Sequence, residues 1–88
     1  MPDEIIEVVV ASIARLKEIA PESIKLESTF EDLKMDSLDG LNLCFELEEA
    51  FDLTIPDERV RSLRNVRNIV EEIQKLRSEQ NAGSQMHN

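Results

Sequence analysis

Residues 33–58 read LKMDSLDGLNLCFELEEAFDLTIPDE, and the periodicity at the centre of this stretch decides the fold. At about 100° per residue, Leu43, Cys44, Leu47, Ala50 and Phe51 share one arc, the expected core face of a helix over residues 37–51. Leu41 and Phe45, four apart, extend that arc sideways, and Ser37 stands four before Leu41. Asp39, Asn42, Glu46 and Glu49 cover the other side, and Glu48 interrupts the apolar edge. Leu41 and Phe45 therefore read in two ways, as a wide core stripe or as a surface for a partner or a cargo. Asp36 is a good N-cap, and Asp39, three residues on, can complete a capping-box-like pair and favour the positive end of the helix dipole.

Outward from this segment the chain reads as helical throughout. A first helix is expected from Asp3 to Ala20, with Ile6, Val9, Val10, Ile13 and Leu16 at helical spacing and a stop before Pro21. Its run EVVVASI is β-branched, but length and period favour helix over strand. Residues 21–35 form a long loop pinned by Ile24, Leu26, Phe30 and Leu33. After TIP, a short third helix is expected from Asp57 to Leu63. A fourth follows from Val66 to Arg77, with Asn65 as N-cap and Val66, Ile69, Val70, Ile73 and Leu76 on one face. The fold class is all-α: a small bundle of three longer helices and one short one, with no strand signal. The domain spans residues 1–78. The end, SEQNAGSQMHN, lacks apolar periodicity, and residues 79–88 are expected to be a disordered tail.

Composition narrows the function. The 88 residues contain no tryptophan or tyrosine and three phenylalanines, so the core is built from Ile, Leu and Val. Residues 31–58 hold ten acids (Glu31, Asp32, Asp36, Asp39, Glu46, Glu48, Glu49, Asp52, Asp57, Glu58) against Lys34 alone, while the remainder holds nine acids and nine bases. One segment carries the whole imbalance of −9. Such a surface repels nucleic acid and anionic membrane and steers basic protein patches towards it. No signal peptide is read at the N-terminus, and no run approaches the ~18 apolar residues of a membrane span. The single cysteine, Cys44, reads as a small buried hydrophobe and fits a reducing cytoplasm.

Ser37 is the candidate functional residue, at the first helical position beside unpaired backbone N–H groups, where an attached phosphate is well tolerated. It is not expected to be a nucleophile of its own enzyme. The only histidine, His87, lies in the tail, and Asp36 and Asp39 are committed to the helix end. There is no Gly-rich phosphate loop, Cys/His metal cluster or G-x-S-x-G elbow. A calcium loop built around Gly40 fails because Met35 would fill its first ligand position. Ser37 is thus a residue acted upon by another enzyme, unless DSLD is merely a capped helix start.

Residues 29–58, TFEDLKMDSLDGLNLCFELEEAFDLTIPDE, resemble the acyl carrier proteins in their Asp-Ser-Leu attachment motif, acidic second helix and Phe-x-x-x-Ile-Pro segment. The likeness extends from about Ile5 to Leu76. It implies a carrier rather than an enzyme, with 4′-phosphopantetheine from coenzyme A attached to Ser37 by a separate phosphopantetheinyl transferase. Asp36 and Leu38 would complete the attachment motif, and no metal is implied. Asp39, Glu46, Glu48 and Glu49 would attract basic patches on fatty-acid or polyketide synthase enzymes. Leu41 and Phe45, with Leu38, would supply apolar contact or the mouth of a cavity for the acyl chain. Peptidyl or aminoacyl cargo, or an unmodified acidic docking module, are the alternative functions. A cytoplasmic monomer that neither binds nucleic acid nor inserts into membrane is expected.

Several residues depart from the pattern of that family. Lys34 stands where glycine is usual, two residues before Asp36. Asn42 replaces a frequent glutamate, and Glu46 a small residue. Arg59, Arg61, Arg64 and Arg67 fill a region that is commonly acidic. They are expected to pair with Glu48, Asp52, Asp57 or Glu58, or else to form a basic patch for a particular partner.

Overall fold

The β-branched N-terminal segment is helical, as its period demands. The computed structural model describes the backbone of residues 3–86 and the side chains of residues 4–80. Among them lie α1 (Asp3–Lys17), α2 (Ser37–Phe51), α3 (Asp57–Arg61) and α4 (Val66–Met86), with a 3₁₀ turn at Pro21–Ser23. No strand forms among the described residues, although Thr29 and Asn65 make one isolated antiparallel bridge. Helix α1 packs against α2 and α4, and α3 lies against α2.

The core is aliphatic, as the composition requires. Ile5, Val9 and Ile13 of α1 meet Leu43 and Leu47 of α2 and Val66, Ile69, Val70, Ile73 and Leu76 of α4. The buried face of α1 is turned towards Ile5 relative to the expected stripe, leaving Ile6, Val10 and Leu16 half-buried. On α2, Leu43, Cys44 and Leu47 are buried, Phe51 is half-buried under the Arg77 guanidinium, and Ala50 is exposed rather than in the core. Ile24 of the long loop is buried, with Leu26, Phe30 and Leu33 packed on the core as expected.

Three chain reversals set the bundle's geometry, and none uses glycine. Glu18, Lys34 and Asp52 all adopt left-handed φ values of 54–56°. Behind each, an N–H bonds the carbonyl five residues back: Ile19 to Ala14 (3.1 Å), Met35 to Phe30 (2.8 Å) and Leu53 to Glu48 (3.1 Å). This is the 6→1 closure of a Schellman stop, which satisfies a terminal carbonyl and turns the chain away. Helix α1 therefore ends at Lys17 rather than Ala20. The closure at Lys34 ends a single helical turn opened by a reciprocal pair, in which the Asp32 N–H donates to Thr29 Oγ1 (2.9 Å) and the Thr29 N–H to Asp32 Oδ2 (3.2 Å). Thus the segment TFEDLK is a capped turn that aims the chain into α2.

The loop is sewn to the start of α4. The Val66 and Arg67 N–H groups donate to the Ser28 and Leu26 carbonyls, and the Phe30 N–H to the Arg64 carbonyl, each at 3.0 Å. Asn65 caps α4 as expected, its Oδ1 accepting the Asn68 N–H at 2.8 Å. These bonds satisfy donors that a helix N-terminus leaves unpaired.

Two helix ends differ from the sequence expectation. Helix α3 stops at Arg61, leaving Leu63 buried in the connection beyond it. Helix α4 does not end at Arg77 but continues to Met86, so residues 79–86 of the expected tail are helical, and His87 lies outside the described residues. Gln80 gives this extension a purpose. Its Oε1 accepts the Thr54 N–H (3.2 Å) and its Nε2 donates to the Thr54 carbonyl (3.0 Å), tying α4 to the α2–α3 connection. The arginines are distributed differently as well. Arg59 pairs with Glu72 (2.6 Å) and Glu79 (3.8 Å) of α4, and Arg67 with Glu27 (2.7 Å), not with the acids of residues 48–58.

Two substitutions test these devices. Lys34→Gly relieves about 1–2 kcal/mol of left-handed strain and gives back about 0.5–1 kcal/mol of unfolded-state entropy. Denaturant titration is expected to show a net gain, and a loss would refute the strained-stop reading. Gln80→Ala removes two exposed hydrogen bonds and is expected to cost about 1 kcal/mol, a fall of roughly 4–8 °C in Tm for a domain of this size. An unchanged Tm would show that the end of α4 carries no load.

Candidate functional site

The residue before Ser37 fixes how Ser37 is presented. Asp36 is extended and caps α2: its Oδ1 accepts the Asp39 N–H at 2.9 Å, and Asp39 Oδ2 accepts the Asp36 N–H at 3.4 Å. The first helical bond runs from the Gly40 N–H to the Asp36 carbonyl at 3.0 Å. With both aspartates engaged in the cap, Ser37 is left exposed at the first helical position, and neither its hydroxyl nor its N–H bonds another described residue. The capped-start and functional readings of DSLD are therefore compatible, because the cap frees the serine between its two members.

Lys17, at the end of α1, locks this arrangement. Its Nζ donates to Asp39 Oδ2 at 2.8 Å and to the Lys34 carbonyl at 3.0 Å. One ammonium thus joins α1, the reversal before Ser37 and the first turn of α2. The Lys17 hydrogen bond is the main reason the Asp39 carboxyl sits below its ordinary range, partial desolvation opposing it and the Asp36 N–H assisting.

Beside Ser37 a cleft of about 600 Å³ opens between α2 and α3. Ser37, Gly40, Leu41 and Cys44 form its α2 wall, and Asp57, Val60 and Arg61 of α3, with Arg64 of the connection beyond it, form the opposite wall. Phe30, Met35, Leu43 and Leu63 close it below. The interior is apolar and the charges belong to residues exposed at the lip. A side chain at Gly40 would meet nothing within 4 Å, so no close approach requires glycine there. Cys44 is buried, and desolvation, aided by the Glu48 charge, pushes its thiol up to about 11. That thiol stays protonated at neutral pH, as its reading as a small hydrophobe requires.

Leu38, Leu41 and Phe45 are 64%, 39% and 62% exposed, which decides against a wide core stripe. They run from Ser37 along the surface of α2. The carboxylates beside them are less available than their number suggests. Asp39 is held by Lys17, and Glu46 pairs with Arg15. Glu48 accepts the Ile55 N–H at 2.7 Å, bracing the α2–α3 connection. Among the described residues, Glu49 forms no ion pair.

Sequence reasoning missed Asp57, Arg61 and Arg64 as cleft residues. Asp57, Val60 and Arg61 share one face of α3, a signal obscured because the helix is so short, and Arg64 joins them from the connection beyond its end. Nothing in the sequence marks Lys17, whose partners are 17 and 22 residues away. Among the described residues no group of His, Cys, Asp and Glu could hold a metal ion, and no helix is long and apolar enough to cross a membrane.

Residues 7–73 match a family model described as "Phosphopantetheine attachment site". The chain is 41% identical over 69 residues to an acyl carrier protein of Thermosynechococcus vestitus, covering 77% of this chain and 85% of that one. It is 39% identical over 75 residues to an acyl carrier protein of Campylobacter curvus, covering 84% and 92%. Among solved structures, the crystal structure of an acyl carrier protein from Thermotoga maritima aligns with a TM-score of 0.63 at 32% identity, covering 76% of this chain and 87% of that one.

The cap at the head of α2 carries a pH signature. The folded state favours the ionised form of Asp39, so its contribution is complete above the ordinary value of 3.8 and is lost as the pH falls through the lower folded value. Denaturant midpoints measured from pH 5 to pH 3 are expected to fall less steeply for Asp39→Asn than for the parent chain. Equal slopes would show that the Lys17–Asp39 contact is not formed in solution.

Proposed function

We propose, from the premise that this chain belongs to the acyl carrier protein family, that Ser37 is the residue bearing its prosthetic group. The chain is a carrier and not an enzyme, and its cofactor is covalently attached 4′-phosphopantetheine. What remains to be assigned is the residue, the contact face and the cargo.

The observation that carries the assignment is the free hydroxyl of Ser37 between two aspartates already spent on the helix cap. The residues present fit the group. Ser37 is exposed, the N–H groups of Ser37 and Leu38 have no partner among the described residues, and the apolar cleft begins beside them. A phosphodiester at this helix end lies in a favourable field. The terminal thiol of the arm supplies the chemistry, holding an acyl group as a thioester.

The rest is done by the chain's own residues. Asp36 and Asp39 hold Ser37 outward but offer it no free base, so the hydroxyl must be activated by the modifying transferase. Leu38, Leu41 and Phe45 give partner enzymes an apolar contact in line with Ser37. Exposed carboxylates, Glu49 foremost, steer basic patches towards it, and such steering raises encounter rates more than affinity. That suits a shuttle that must leave each partner. Leu41, Leu43, Cys44, Val60 and Leu63 shelter an alkyl chain from water. The apolar cleft and acidic α2 favour fatty-acyl cargo over aminoacyl or peptidyl cargo. The unpaired Cys44 suits a cytoplasmic setting.

Incubation with coenzyme A and a broad-specificity phosphopantetheinyl transferase, followed by intact-mass measurement, tests the assignment. One phosphopantetheine is expected on the parent chain and none on Ser37→Ala. No gain on the parent, or the same gain on the variant, would overturn it.

A further inference from the structure

Of the four arginines in residues 59–67, two are neutralised: Arg59 by Glu72 and Glu79, and Arg67 by Glu27. Arg61 and Arg64 have no carboxylate partner among the described residues, and both line the cleft that begins at Ser37. Arg64 Nη1 donates to the Arg61 and Leu63 carbonyls at 2.8 and 3.1 Å, anchoring that side chain at the end of α3 while its other donors stay free. Asp57 lines the same wall without bridging to Arg61, although the two are four apart on one helix. Two guanidinium-bearing residues without a carboxylate partner therefore line the same apolar cleft as Ser37.

We propose that Arg61 and Arg64 bind the phosphate of the prosthetic arm, clasping it between the start of α2 and the end of α3. The inference rests on the assignment of the arm to Ser37 and deepens it. A phosphodiester on Ser37 Oγ is a permanent anion at a lip that already carries Asp36 and Asp57, both repulsive. Among the described residues, the only cations lining that cleft are Arg61 and Arg64. Ser37, Arg61 and Arg64 line one cleft of about 600 Å³, and both arginines are exposed at its lip. Guanidinium suits the task, since its planar fork matches two phosphate oxygens where an ammonium offers a point charge. Lys34 is the competing cation, but its side chain does not line the cleft. Clasped at its phosphate, the arm starts along the apolar walls instead of into solvent.

The test uses full-length chains carrying the arm: the parent, Arg61→Gln, Arg61→Gln with Arg64→Gln, and Lys34→Gln. Phosphorus-31 NMR reads the phosphate, and the rise in Tm from unmodified to modified chain reads its effect on stability. Both arginine variants are expected to move the resonance towards that of free pantetheine phosphodiester. The double variant is expected to lose about 2–5 °C of the rise that the arm gives the parent, the size of an exposed ion-pair contribution. Lys34→Gln is expected to leave both readings as in the parent. Because each variant is compared with its own unmodified form, any structural cost of losing the Arg64 backbone bonds cancels. An unchanged resonance and increment in the arginine variants, or a change produced by Lys34→Gln instead, would overturn the proposal. Intact mass separates the two readings: a chain that takes up no arm removes the Ser37 assignment and this one with it, whereas a modified chain with an unresponsive phosphate removes this one alone.

Discussion

The ammonium of Lys17 is the constraint on which the functional end of the molecule depends. By touching the Lys34 carbonyl and the Asp39 carboxylate together, it fastens the end of α1 to the reversal before Ser37 and to the first turn of α2. Asp39 in turn shares a reciprocal cap with Asp36, and that cap occupies the only two carboxylates next to Ser37 in sequence. The serine is presented by exclusion, both flanking carboxylates having been given another task. The tether proposed for Ser37 must be reachable and unencumbered, and both properties follow from where the hydrogen bonds of Asp36 and Asp39 go.

The same exchange of partners alters the meaning of the acidic surface. A net charge of −9 suggests a uniformly anionic face, yet Asp39, Glu46 and Glu48 are each bound within the molecule. Around Ser37 the surface shows an exposed apolar stripe of Leu38, Leu41 and Phe45, with Glu49 beside it, and Arg61 and Arg64 line the adjoining cleft. For the shuttle proposed above, long-range attraction would come from the total charge and short-range fit from the groups around Ser37 that are left unpaired. This division suits rapid encounter followed by release.

Much of this was legible in the sequence because it is local. The boundaries of α2, the Asp36–Asp39 cap and the Asn65 cap depend on residues three or four apart, and all lie where the pattern puts them. The expected core failed only at edges: Ala50 is exposed at the rim of a groove between α1 and α2, and the face of α1 rotates to bring in Ile5. What escaped was either long-range or conformational. The Lys17 contacts and the Gln80–Thr54 clamp span 17 to 26 residues with no periodic trace. The left-handed stops at Glu18, Lys34 and Asp52 carry none of the glycine that usually announces them, so nothing in the sequence marks the end of α1 at Lys17. Arg59 reaches across to Glu72 and Glu79 of α4, and Arg67, itself on α4, pairs with Glu27 of the loop sewn to that helix, neither of which the local sequence encodes.

The account turns on the hydroxyl of residue 37 being the tether through which this carrier holds its cargo. Fragmentation mass spectrometry of the chain purified from its own host, with no enzyme added, reads this most directly. The account predicts added mass confined to fragments that contain Ser37, with part of the population bearing an acyl group on the arm. A native chain whose Ser37 fragments carry nothing, or whose arm sits on another residue, would contradict it.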